Sequence, residues 1–159
     1  MRLMRARAVV VVITLALATL GVACDRTEPS AAVTVQITHG SATVSYIAEV
    51  ASSPGQRQRG LMGRESLGAD AGMLFLFPQK VALGFWMKNT LIPLDIAFID
   101  GDRVVEVRSM TPCRTDRCPF TTPRAPYDAA LEVNQGSLSR AGVAAGDRVV
   151  FGGALPKVS

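Results

Sequence analysis

Along Val33-Thr34-Val35-Gln36-Ile37-Thr38 apolar and polar side chains alternate strictly, with Val33, Val35 and Ile37 on one face and the polar residues on the other. Successive side chains of a strand point to opposite faces, so this period of two predicts a half-buried strand. His39-Gly40-Ser41 supplies a turn, and Val44, Tyr46, Ala48 and Val50 resume the alternation, which predicts a hairpin. His39 is read as a surface residue of that turn. Ser53-Pro54 then has the form of a helix N-cap followed by proline at the first helical position. A short helix through Gln56 to Met62 is expected, with Gly63 ending it and residues 65–72 as loop.

The next segments are apolar without clean alternation. Met73 to Phe77, bounded by Gly72 and Pro78, reads as a buried strand. Gly84 to Lys88 reads as a second, and Leu91 to Ile99 as a third, apolar on both faces except at Asp95. Asp100-Gly101 is a strong hairpin signal, joining that strand to Arg103–Arg108. Residues 109–126 form a loop with four prolines, Pro112, Pro119, Pro123 and Pro126. Tyr127 to Val133 returns to strand, Ser137 to Gly142 suits a short helix with a glycine stop, and Arg148 to Phe151 is a last strand. The fold class expected is α+β and β-dominated: a compact, mostly antiparallel, barrel-like sheet with two short helices.

The first residues change the picture of charge and location. Arg2, Arg5 and Arg7 precede an apolar run from Ala8 to Ala23, about 16 residues where ~20 are needed to span a bilayer. That is a secretory n-region and h-region. Leu20-Gly21-Val22-Ala23 ahead of Cys24 resembles a bacterial lipobox, in which the signal is cleaved before a cysteine that receives a diacylglycerol, although Gly21 stands where leucine is more usual. Plain secretion and an uncleaved anchor are the other readings, and all three place the domain outside the cytoplasm. The chain is thus divided into a signal peptide (1–23), a polar tether (24–32), one β-rich domain (33–152) and a tail (153–159). Beyond residue 23, 14 lysines and arginines face 13 acidic residues, so the high overall isoelectric point belongs to the leader and no nucleic-acid partner is expected. The partners expected are the membrane, through the N-terminal lipid, and a small ligand or envelope protein of unknown identity.

With Cys24 as lipid site, Cys113 and Cys118 remain, an even pair in an exported chain that reads as a disulfide. A redox pair would want two intervening residues at a helix start, and zinc would need further ligands where His39 is the only histidine. No metal or cofactor is expected. Neither G-x-G-x-x-G nor a P-loop occurs, and one histidine leaves no Ser-His-Asp arrangement.

One segment concentrates chemistry: Phe85 to Asp95 sets Trp86, Lys88, Asn89 and Asp95 among apolar residues. A buried Asp95 must be hydrogen-bonded or paired, and Lys88, Arg59 or Arg64 could supply the partner. One reading is an internal ion pair fixing register. The other is the polar floor of a pocket with Trp86 as an apolar wall and Lys88 and Asn89 as donors. Glu132, inside the apolar run Ala129–Val133, raises the same question, and two carboxylates could act as general acid and base if they met.

The strings Arg59-Gly60-Leu61-Met62, Gly72 to Phe77, Phe85 to Thr90 with Ile92 to Ile96, Leu131 to Gly136 and Gly142 to Asp147 resemble the prokaryotic family called domain of unknown function 192. The resemblance spans roughly residues 33–152. Gly63 departs from it, where a bulky residue often follows the Leu-Met pair, and the cysteine loop belongs only to some members. It implies a small exported or membrane-associated β-rich domain, favours Arg59, Lys88, Asn89, Asp95 and Glu132 as a set, and implies no activity. The functional expectation is a lipid-anchored binding or accessory module of the cell envelope, with ligand residues Arg59, Arg64, Trp86, Lys88, Asn89, Asp95 and Glu132. An extracytoplasmic hydrolase using Asp95 and Glu132, and a structural module without a pocket, are the alternatives.

Overall fold

The computed structural model describes residues 31–159. The expected signal peptide, the expected lipid site at Cys24 and most of the expected tether lie outside the described residues.

Seven strands close into a barrel in the order β1 (Ala32–His39), β2 (Ala42–Ala51), β3 (Ala71–Val81), β8 (Tyr127–Asn134), β5 (Leu94–Asp100), β6 (Arg103–Met110) and β9 (Arg148–Gly152). Two further short strands, β4 (Phe85–Trp86) and β7 (Phe120–Thr121), pair with each other in a separate ribbon. The helices are α1 (Pro54–Arg59) and α2 (Ser137–Arg140). The β-dominated, barrel-like class read from the sequence is the fold observed.

Pairing is antiparallel around the barrel except between β2 and β3, which run parallel. Parallel neighbours need a crossover connection rather than a hairpin. Residues 52–70, carrying α1, supply it, and in doing so lay α1 against the outside of the sheet.

The barrel is filled by the inward faces of its strands: Val33, Val35 and Ile37 from β1, Tyr46, Ala48 and Val50 from β2, and Leu74, Ala97, Leu131 and Val149 from others. A second apolar cluster lies outside it. Met73 and Phe75 of β3, Ile96 and Phe98 of β5 and Ala130 of β8 pack under Leu61 and Met87. Strands β3, β5 and β8 are therefore covered on both faces, which is why their sequences are continuous apolar runs while β1 and β2 alternate.

Several elements differ from the sequence expectation. β3 begins at Ala71, inside the expected loop, and runs past Pro78 to Val81, a register shift between Leu76 and Val81 taking the proline out of the ladder, and the expected 109–126 loop contains β7. The strand expected over 84–88 is reduced to Phe85–Trp86 and leaves the barrel for the β4–β7 ribbon. The strand expected from Leu91 begins only at Leu94, because Pro93 has no N–H to give the ladder. The helix expected through Met62 stops at Arg59, where Gly60 turns away at φ 49°.

Candidate functional site

Helix α1 is fixed at its start by a capping box. The Ser53 hydroxyl accepts the Gln56 N–H, Gln56 Oε1 accepts the Ser53 N–H at 3.0 Å, and Pro54 occupies the first turn. From α1 the Arg57 guanidinium donates to the carbonyls of Ser52, Leu76 and Ser159, at 2.7, 3.0 and 2.7 Å, tying helix, sheet and chain end together. Opposite α1 stands the β4–β7 ribbon. Its Trp86 ring stacks on Phe120 with centroids 5.6 Å apart and planes within 4°. Between helix and ribbon runs a groove over the outer face of β3 and β8.

Three cavities that share Gln58 and Trp86 as walls make up the groove. One, of ≈ 300 Å³, is walled by Phe75, Phe77, Phe85, Trp86, Phe120 and Tyr127. Burial raises the Tyr127 phenol, whose hydroxyl donates to the Leu83 carbonyl at 2.8 Å. The second, of ≈ 510 Å³, is polar and is bounded by Gln58, Arg59, Trp86, Lys88 and Asn89. The third, of ≈ 30 Å³, lies between α1 and Phe85 and reaches Thr90 and Glu132. Trp86 borders all three.

The structure thus brings Arg59, Trp86, Lys88, Asn89 and Glu132 to one groove. Lys88 holds its Nζ 5.8 Å from the centre of the Trp86 ring and makes no ion pair among the described residues. Asn89 sits at φ 57°, a left-handed position that asparagine tolerates better than most side chains, and its carbonyl accepts the Gly63 N–H at 2.8 Å. Glu132 is 5% exposed, and burial alone pushes its carboxyl up to about 8.

Two expected site residues lie elsewhere. Arg64 is held by Glu49 in a two-pronged pair at 2.6 Å, away from Asp95, and the pair holds the Glu49 carboxyl below its usual range. Asp95, 1% exposed, makes no ion pair among the described residues: neither Lys88 nor Arg59 nor Arg64 fills that place. Its Oδ1 accepts the Ser109 hydroxyl at 2.7 Å, and its Oδ2 accepts the backbone N–H groups of Gly136 and Leu138 at 2.8 and 3.3 Å. The sequence expectation named side-chain cations, whereas the carboxylate caps a helix.

Asp95 and Glu132 do not meet. In the β5–β8 ladder Asp95 pairs with Val133 and Ile96 with Glu132. Paired residues share a face, so Asp95 points with Val133 into the barrel and Glu132 points with Ile96 to the groove. A hydrolase sharing one substrate between these two carboxylates is incompatible with that register.

Cys113 and Cys118 are bonded, with Cα atoms 5.7 Å apart. Cys113 bridges to Lys88, so the disulfide loop abuts the groove's polar end. Among the described residues no group of three or more His, Cys, Asp or Glu side chains could hold a metal ion, and no helix is long and apolar enough to cross a membrane.

Sequence reasoning missed Phe120 and Thr90. Phe120 is 63% exposed in a proline-rich polar loop, and a large aromatic in such a segment was the available signal. Thr90 stood inside the singled-out segment, but nothing in its type distinguishes a hydroxyl facing a cavity from one facing water.

A family model described as DUF192, uncharacterized ACR, matches residues 35–151. A Sinorhizobium meliloti 1021 protein whose crystal structure is titled a "putative transcription regulator" is similar at 32% identity and TM-score 0.69, over 77% of this chain and 95% of that one. A Novosphingobium aromaticivorans DSM 12444 protein of unknown function is similar at 34% identity and TM-score 0.66, over 75% of this chain and 84% of that one. None of the curated proteins matches.

Proposed function

The chain belongs to the DUF192 family, and from that premise we propose that it is an extracytoplasmic binding module, anchored through a lipid on Cys24, whose groove holds a small ligand with an apolar body. The observation that carries the reading is Trp86. It is 37% exposed, belongs to no barrel strand, and stacks on a still more exposed Phe120, so that two large rings form one wall of a groove. Leaving rings in water forgoes the stabilisation of burying them, and a concave apolar wall with a few polar groups at one end is the form ligand sites take. Export rests on the arginine-rich start, the short apolar run and the Leu-Gly-Val-Ala-Cys string. A regulator that grips nucleic acid is not favoured, since the chain beyond residue 23 is nearly neutral.

Trp86 is the only tryptophan, so its emission reports on the groove alone. A thermal-shift screen of the full chain against cell-envelope metabolites, read in parallel with that emission, tests the proposal. Ligands that raise the melting temperature should also move Trp86 emission, and Phe120→Ala should weaken both responses. Ligands that stabilise the protein with Trp86 emission unmoved would place the site elsewhere.

A further inference from the structure

Among the described residues three polar or charged side chains are buried: Thr90, Asp95 and Glu132. Asp95 has both oxygens engaged. The Glu132 carboxyl and the Thr90 hydroxyl have no hydrogen-bond partner among the described residues, and both line the same ≈ 30 Å³ cavity at the floor of the groove. Their polar atoms open onto that space rather than into packed protein. Most buried polar groups have a partner from protein or ordered water, and two that open onto one cavity without a protein partner mark a place where water or a ligand satisfies them.

We propose that this cavity is the subsite for a primary ammonium group, carried by the small ligand whose apolar body lies along the groove. The inference rests on the ligand-binding reading above and names the polar end of that ligand. Burial pushes the Glu132 carboxyl up to about 8, so near neutral pH it keeps its proton unless a cation stabilises the charged form, and none of the ion pairs among the described residues involves it. Arg57 spends its guanidinium on three carbonyls. Arg59 borders the cavity but is engaged in an interaction of its own, Lys88 borders the neighbouring chamber and lies over Trp86, and burial alone sets the Glu132 carboxyl. The flanking strands present Met73 from β3 and Ile96 from β5, which carry no charge.

Size selects the cation. A water-sized group needs roughly 10–15 Å³, so the narrow ≈ 30 Å³ space favours a compact ammonium head over a broad, planar guanidinium. A divalent metal would want six or more oxygens, far beyond one carboxylate and one hydroxyl. An ammonium also uses what is present: it donates to the two oxygens of Glu132 and to Thr90 Oγ1, with the rings of Phe75 and Phe85 bordering the same space.

The test uses the purified full chain, Trp86 emission, and three probes of similar body: 2-phenylethylamine, 2-phenylethanol and 3-phenylpropionate. The amine should bind at least tenfold tighter than the alcohol at pH 7.5. Because Glu132 must release its proton to pair with the ammonium, amine affinity should rise roughly tenfold per pH unit from pH 5.5 to 7.5, a measurement that needs no variant. Glu132→Gln should reduce the amine to the affinity of the alcohol and flatten the pH dependence, and Thr90→Val should weaken it several-fold. Alcohol or carboxylate binding as tightly as the amine, a flat pH profile, or full amine affinity in Glu132→Gln would overturn the inference. In those cases a response of Trp86 leaves the groove reading standing, whereas silence toward all three probes removes support from both.

Discussion

Asp95 Oδ2 accepts the backbone N–H of Gly136 at 2.8 Å, so a strand residue caps a helix 41 positions further along the chain. Helix α2 has no cap of its own, since its N-cap residue is glycine with φ 81°. The remote carboxylate takes two of its orphan N–H groups, and a Tyr46 hydroxyl 2.9 Å from the Ser137 hydroxyl adds a second tie to the barrel.

Asp95→Asn should therefore destabilise the fold. An amide keeps the shape but loses the charge and turns one acceptor into a donor facing N–H groups. The expected loss is about 1–3 kcal/mol, seen as a lower urea midpoint with an unchanged slope. A midpoint at or above wild type would show that the capping bonds contribute nothing.

Glu132 makes stability fall with rising pH. Its folded-state carboxyl titrates at about 8, above the ordinary 4.5, so between those values the folded state holds a proton that the unfolded state has released. Below 4.5 the group contributes no difference, and above 8 the loss is complete. The burial is deep enough for several kcal/mol at the order of magnitude. Urea midpoints should drop from pH 5 to pH 8.5, and Glu132→Gln should remove most of that drop. Equal midpoints for wild type at the two pH values would contradict the burial account.

Gly84 is required for the ribbon to close. A Cβ there would come within 2.6 Å of Thr122 Oγ1 and 2.9 Å of Phe120 Cβ. Gly84→Ala should push β7 from β4 and separate the Trp86–Phe120 stack. Since the ribbon lies outside the barrel, the melting temperature should change little while Trp86 emission shifts to the red. An unmoved emission maximum would mean that the ribbon accommodates the methyl.

The Cys113–Cys118 bond closes a short loop beside Lys88. Replacing both cysteines by serine should cost about 2 kcal/mol on the chain-entropy model, with the barrel still folded. Mass spectrometry without reductant should find the pair two protons light. Free thiols at both positions in protein purified without reductant would contradict the pairing.

Cys24→Ala should abolish incorporation of labelled fatty acid and slow leader removal in a bacterial host. Labelling that survives the change would exclude Cys24 as the anchor site.

The period-two strands were legible because each has one face in the barrel and one in water. The inward placing of Val33, Val35 and Ile37 follows from their alternation alone. The run from Leu94 to Ile99 was legible as buried but not by what, since β5 has a core on either side. Asp95 was identified as buried and partnered, but its partners include main-chain N–H groups, which no residue type advertises. The opposite facing of Asp95 and Glu132 depends on a register between distant strands, invisible until β5 and β8 are aligned. The parallel β2–β3 pair was hidden for a similar reason: it is α1's crossover, not any local pattern, that permits it.

The barrel's last seam has a bearing on how the protein avoids its own kind. Strands β6 and β9 share only the Arg103–Arg148 pair, so beyond Val104 one margin of β6 pairs with no strand among the described residues. An open strand margin is a template for aggregation unless it is blocked. Here the Glu106 carboxylate takes the Arg108 guanidinium at 2.6 Å and the Arg124 backbone N–H at 2.7 Å, pulling the proline-rich loop alongside the exposed margin. The charged side chains and the loop beside this margin are the kind of cover that blocks edge-to-edge pairing between copies.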